Sequence, residues 1–206
     1  MRIAIVGSGH IGEGLARAWR AGGHEVTFGA RDPQDPDVVA LARGIGAAVA
    51  GVADALSSAE VVTLAVPFAA VPDVARALPT WAGRLVIDCT NPIGPGLTLL
   101  HGHTDSGAEA VARLLPGARV VKSFSAQGAE VLARPEYAGV RASNFYCGDD
   151  PDAKAVVRDL VAAVGFEPVD AGPLSSARYL EPLTILWITL SRTLGRQFAF
   201  KVLQRD

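Results

Sequence analysis

The glycines of Gly7-Ser8-Gly9-His10-Ile11-Gly12 directly follow the apolar run Arg2–Val6. They open a stretch with Leu15, Ala18 and Trp19 at helical spacing. In that setting each glycine has its own use. The first allows a tight turn, the second lets a bound group approach the backbone, and the third lets helix and strand pack closely. The helix start then offers free N–H groups and a partial positive charge, which suits the pyrophosphate of a dinucleotide. Gly7, Ser8, Gly9, His10, Ile11 and Gly12 are therefore candidate cofactor-binding residues.

The end of the second strand reads Phe28-Gly29-Ala30-Arg31-Asp32-Pro33. A site for NAD places Asp or Glu there to hold the ribose hydroxyls. Here small residues are followed by Arg31, whose guanidinium can clasp the extra phosphate of NADP or stack on adenine. Ala30 and Arg31 thus predict NADP(H), with Asp32 placed to cap the next helix or to bond a ribose. Two later strand ends supply Val66-Pro67-Phe68 and Cys89-Thr90-Asn91. In a doubly wound sheet such ends line the ligand crevice. Phe68 would bound the nicotinamide, and Asn91 would bond ribose or carboxamide.

The elements that must position these residues follow from periodicity. Strand-like runs at Arg2–Val6, Glu25–Phe28, Val61–Val66, Leu85–Asp88, Arg119–Phe124, Asn144–Cys147 and Glu167–Val169 alternate with helix-like stretches. Those lie at Ile11–Ala21, Asp37–Arg43, Val71–Leu78, Gly107–Leu115 and Asp152–Val164. This alternation predicts an α/β fold, a doubly wound Rossmann-type parallel sheet with a small, mainly helical C-terminal appendage. We divide the chain into a nucleotide-binding domain, residues 1–150, and a C-terminal region, residues 151–206. The stretch Leu174–Leu203 is very apolar, Pro182 suits a first helical turn, and Gly195 a break or cap.

Composition narrows the partners. Net charge is −2 over 206 residues, half of them apolar, which argues against bulk-charge binding to nucleic acid or a membrane surface. The longest uncharged runs, Val61–Pro72 and Cys89–Leu100, are 12 residues each and contain prolines, too short for a spanning helix. Two cysteines without a CxxC, and an opening run interrupted by Gly7, Gly9 and Gly12, point to a soluble, cytoplasmic protein with reduced thiols. His101-Gly102-His103-Thr104-Asp105 resembles a metal loop, but four histidines do not make a first shell without distant carboxylates, so no metal is assigned.

Beyond these motifs, Gly12-Glu13-Gly14, Gly23-His24-Glu25-Val26, Ala30–Pro33, Val66-Pro67-Phe68, Val120–Phe124, Cys147–Asp150, Asp170–Leu174 and Leu180–Leu183 span the whole chain. As a set they resemble the NADPH-dependent reductases of coenzyme F-420 (F420 below) and their dinucleotide-binding relatives. The resemblance implies hydride transfer between NADP(H) and a bound deazaflavin, with a homodimer built partly by the tail. It implies nucleotide contacts from Ser8–Ile11, Ala30, Arg31, Val66 and Pro67, and a backbone contact from Ala129 to nicotinamide. Ser123, Ser125 and Thr184 would orient the acceptor. Two positions depart from the family pattern: Ser125-Ala126 stands where relatives place Asn or His and then Thr, and Pro182 replaces a hydroxyl residue. A reductase of flavin, ferric ion or a small imine or carbonyl compound is the nearest alternative. A non-catalytic NADPH-sensing module is the alternative from another class. Trp187, Phe198 and Phe200 are the expected dimer anchors.

Overall fold

A computed structural model describes residues 1–205. The strands are β1 (Arg2–Val6), β2 (Glu25–Ala30), β3 (Ala48–Gly51), β4 (Val61–Leu64), β5 (Leu85–Asp88), β6 (Arg119–Ser123), β7 (Glu136–Tyr137), β8 (Val140–Arg141), β9 (Ser143–Gly148) and β10 (Glu167–Asp170). The helices are α1 (His10–Ala21), α2 (Pro36–Ile45), α3 (Val52–Ser58), α4 (Val71–Ala75), α5 (Gly107–Leu114), α6 (Ala129–Ala133), α7 (Pro151–Val164) and α8 (Ala177–Leu194). Eight strands form one sheet in the order β10-β9-β6-β5-β4-β1-β2-β3, and β7 and β8 form a separate hairpin.

The sheet is buried on both faces because its strands alternate between two apolar layers. Ile3, Ile5, Leu85 and Ile87 face one core with Trp19 of α1 and Leu160 of α7. Ala4, Val6, Val62, Leu64 and Val86 face the other, with Leu56 of α3 and Val111 of α5. Such two-sided burial gives near-continuous apolar strands. The order reverses at β1, which pairs with β2 on one side and β4 on the other. That reversal is the topological switch point where doubly wound sheets open a ligand crevice.

Two departures from strict alternation matter for the site. First, β9 runs antiparallel to β6, with Ser123 opposite Tyr146 and Val121 opposite Gly148. After β6 the chain stays at that strand's carboxyl end through α6 and the hairpin, then runs back. The expected doubly wound sheet is thus mostly parallel, with β9 and β10 reversed relative to the other six strands. Second, β10 pairs with β9, so the C-terminal region first adds α7 and β10 to the same sheet and then continues as α8.

α8 lies over the Ala4/Val6 face, burying Ala177 and Leu180 there. Pro182 is inside this helix, in its second turn rather than its first. Gly195, at φ 74, ends α8. The chain then turns back instead of continuing as helix: the Phe200 carbonyl accepts from Ser143 N (2.9 Å), and Val202 N donates to Ser143 Oγ (3.0 Å). Helix α2 is capped by Asp35, which accepts from Asp37 N at 2.9 Å. Asp32, expected as that cap, accepts instead from Gln34 N at 2.9 Å. Among the described residues no helix is long and apolar enough to cross a membrane.

Candidate functional site

The glycine loop leaves β1 at the switch point. Gly7 has φ 112, and a Cβ there would collide with the Ala65 carbonyl at the end of β4. A Cβ on Gly12 would collide with the Gly7 carbonyl, so the first turn of α1 rests directly on the loop. Gly9 differs: a Cβ there meets nothing within 4 Å. It is the N-cap of α1 and supplies no side-chain cap. The open space lies against a helix start without a side-chain partner, which is the cradle a pyrophosphate requires. These residues fit a bound dinucleotide.

Register brings the second candidate stretch alongside. Val6 sits opposite Gly29, so Ala30 and the exposed Arg31 emerge next to the glycine loop. Val66 reaches the loop from β4, with its Cγ1 beside Gly7. Pro67 is exposed. Phe68, expected against nicotinamide, is half-buried, packs on the Val62/Leu64 core and meets the His101 ring edge-on at 5.6 Å. His101 Nδ1 lies 3.1 Å from Asp105 Oδ2. Arg113, bonded to the same carboxylate, is the main reason the Asp105 pKa is held down to about 2.

A cleft of about 470 Å³ opens beside the loop. Its walls come from Gly9, His10 and Ile11, from Ala65, Asn91 and Ile93, from Phe124, Ser125 and Gln127–Ala129, and from Thr184, Trp187, Ile188 and Arg196. Residues far apart in sequence thus converge at one end of the sheet, with Asn91, Ala129, Ser125 and Thr184 among them. Ser123 does not line it. Strand alternation turns Ser123 to the Val121 side, where it is fully buried and its Oγ donates to Asn144 Oδ1 at 2.9 Å. That satisfied hydroxyl is a sheet tie, and its assignment to the acceptor pocket is corrected.

The polar groups at the base of the cleft are largely occupied with each other. Asn91 Nδ2 donates to the Ser125 carbonyl at 3.1 Å. Thr184 Oγ1 lies 3.0 Å from both that carbonyl and Asn91 Oδ1. Together they lock the β5 loop, the β6 loop and α8. Phe124 precedes this junction at φ 54, a conformation rarely adopted outside glycine, and its ring meets Trp19 edge-on at 5.9 Å. Backbone strain of this kind persists only where surrounding packing imposes it.

Trp187 is a wall of the cleft and not a surface anchor. It is 3% exposed, stacks on Phe198 at 5.1 Å, and donates Nε1–H to the Phe198 carbonyl at 3.1 Å. Its ring occupies the space a Cβ on Gly128 would need. The Arg196 guanidinium covers the ring at 5.1 Å and pairs with Glu130. Gly14 likewise has no room for a side chain because Leu132 of α6 packs against it, which holds Gly128 and Ala129 close to the glycine loop.

Sequence reasoning missed a buried charge cluster under the cleft. Lys122 Nζ lies 3.0 Å from Asp88 Oδ2 and 3.1 Å from Glu181 Oε1, all three side chains essentially without exposure. Glu181 also accepts from Gly107 N (2.8 Å) and Ala108 N (3.0 Å), capping α5. The signal was present: each residue is a lone charge within an apolar run, and such charges must pair when buried. Cys147 lies beneath this face, and burial pushes its thiol up to about 12, so it carries no thiolate chemistry.

The model for the family described as NADP oxidoreductase, coenzyme F420-dependent, matches residues 2–92. The F420-dependent NADP reductase of Methanothermobacter thermautotrophicus is 31% identical over 208 residues, covering 93% of this chain and 89% of that protein. A solved structure from Arthrobacter sp. fb24, provisionally assigned as an F420 dependent NADP-reductase, superposes with a TM-score of 0.89 at 33% identity, covering 99% of this chain and 100% of that one. Metalloreductase STEAP3 of Rattus norvegicus is 33% identical over 193 residues, but this chain spans only 37% of its length. The fold and the glycine cradle define a dinucleotide-binding protein of the oxidoreductase class. The chain belongs to the F420-dependent NADP reductase family.

Proposed function

We propose that this chain transfers a hydride between NADP(H) and the deazaflavin F420, bound face to face in the cleft. The observation that carries this reading is the meeting of the glycine loop with Gly128–Ala129 and Trp187 around one cavity of about 470 Å³. Hydride transfer needs two rings held with reacting carbons about 3–3.5 Å apart and water excluded, and little acid–base machinery. When bound, NADPH supplies the hydride. The chain's part is positional: the α1 N-terminus and Gly9 hold the pyrophosphate, Arg31 the extra phosphate, and Trp187, Phe124 and Ile188 exclude water from the rings. Ser125 and Thr184 shape the acceptor side.

The reading places the protein in the cytoplasm, with a small-molecule electron acceptor. It also includes a homodimer formed through the outer face of α8, where Tyr179 (76% exposed), Leu186 (48%) and Leu194 (62%) form an apolar stripe. Residues 1–150 then supply most of the nucleotide site, and α8 with the returning tail supplies the acceptor side.

Anaerobic NADPH oxidation against F420, FMN, FAD, a ferric chelate and imines tests the proposal. Turnover with F420 exceeding the others is the expected result. Turnover confined to a ferric chelate, free flavins or imines would replace it with the alternative reductase reading. Tight NADPH binding with no turnover on any acceptor would leave a sensing module.

A further inference from the structure

We propose that Gln127 is a specificity-determining residue of the cleft, its side-chain amide donating to the carbonyl oxygen of a carboxamide- or imide-bearing ring. The inference rests on the cleft being the site of the proposed reaction. Its starting point is an unsatisfied donor: Gln127 Nε2 is buried and has no hydrogen-bond partner. Buried amides are nearly always paired, so one left open calls for an explanation. Among the described residues three other buried side-chain atoms share this condition, on Arg20, Thr63 and Asn144, and none of those residues lines the cleft.

The neighbouring side-chain amide and the Thr184 hydroxyl are already engaged. Asn91, Thr184 and the Ser125 carbonyl already bond one another. The backbone that follows Gln127 is tightly placed, because Gly128 is the N-cap of α6 and the Trp187 ring leaves no room there for a Cβ. Phe124, Trp187 and Ile188 make the surrounding walls apolar, and the cationic Arg196 is exposed and engaged with Glu130. A neutral amide between apolar walls matches a flat ring with a carbonyl edge better than it matches a phosphate. Two rings carry that edge: nicotinamide, through its carboxamide, and the deazaflavin, through its pyrimidine-dione.

Equilibrium titrations of Gln127→Leu and Gln127→Glu decide the matter. Both variants approximate the size of glutamine; leucine cannot donate, and glutamate cannot when it is ionised. The probes are NADP⁺, 2′,5′-ADP (which lacks nicotinamide) and F420, each followed by direct binding. Loss of about tenfold for NADP⁺ with unchanged 2′,5′-ADP assigns the contact to the nicotinamide carboxamide. A similar loss for F420 alone assigns it to the acceptor ring. Affinities for NADP⁺ and F420 within twofold of the parent, in a variant with unchanged circular dichroism, overturn the proposal. If one variant does not fold, the other carries the test. Wild-type protein that binds both probes but shows no turnover defeats the proposed activity and leaves Gln127 to be judged by binding.

Discussion

Lys122 of β6 and Glu181 of α8 meet at 3.1 Å in a position closed to solvent. The contact joins the sheet to the helix that carries Thr184 and Trp187 into the cleft. Asp88 shares the same ammonium at 3.0 Å, and its Oδ1 accepts from Thr90 N (2.9 Å) and Thr90 Oγ1 (2.7 Å). Lys122 also donates to the Thr90 carbonyl. Two carboxylates face one ammonium, and the α5 N-terminus supplies the remaining positive field through Gly107 and Ala108.

Removing the shared cation should therefore be costly. Lys122→Met leaves two buried carboxylates without their counter-charge, a loss of about 3–5 kcal/mol by analogy with other broken buried pairs. Urea unfolding followed by circular dichroism measures it. A loss below about 1 kcal/mol would mean that the cluster is not a structural pin between β6 and α8.

The same cluster sets a pH dependence at the alkaline end. Burial alone pulls the Lys122 pKa down, but the charges of Asp88 and Glu181 outweigh it and the net direction is upward from 10.5. A group whose pKa is raised by folding contributes its full stability below the unfolded value and loses it as pH climbs through the folded value. Stability from this lysine should hold up to about pH 10 and decline above it. Unfolding midpoints between pH 8 and 11.5 should show the decline in the parent protein and a weaker one in Lys122→Met.

Arg31→Ala should weaken NADPH binding by roughly tenfold or more while leaving NADH nearly unchanged, because only the former carries the phosphate that a guanidinium clasps. Isothermal titration of both nucleotides checks this. Equal losses for the two would remove Arg31 from the phosphate site.

The three glycines of the loop should separate into two behaviours. Gly9→Val has room for its side chain, so the variant should fold normally yet lose nucleotide binding as the side chain fills the cradle. Gly12→Ala has none, because its Cβ meets the Gly7 carbonyl, and it should lower thermal stability as well. Thermal melts with and without NADPH distinguish them; a Gly9→Val protein with parental affinity would place the pyrophosphate elsewhere.

Dimerisation should depend on Leu186 rather than on Trp187. Leu186→Glu places a charge on the exposed stripe of α8 and should give a folded monomer by light scattering. Trp187→Ala should cost about 3–5 kcal/mol in stability through the cavity it leaves. A Leu186→Glu protein that stays dimeric would move the interface off this face.

Local pattern determined much of this protein. The alternation of apolar positions located β1, β5 and α1 within a residue or two, because a strand buried on both faces and a helix with one buried stripe leave different periods in the chain. The glycine loop was legible for a similar reason: its steric demands involve only near neighbours and the ends of adjacent strands. Tertiary structure decided the rest. Short elements such as β3, α3 and α6 carry too few residues for a period to show. The return of β9 antiparallel to β6 depends on where α6 and the hairpin leave the chain, which no periodicity records. Ser123 and Ser125 look alike in sequence, yet pleat direction sends one into the sheet and the positive φ of Phe124 helps deliver the other to the cleft. Trp187 turned inward because Gly195 lets the tail fold back and set Phe198 against it. The Lys122 cluster and the open Gln127 amide arise between residues tens of positions apart, where only the packed chain fixes which polar groups are satisfied and which are left for a ligand.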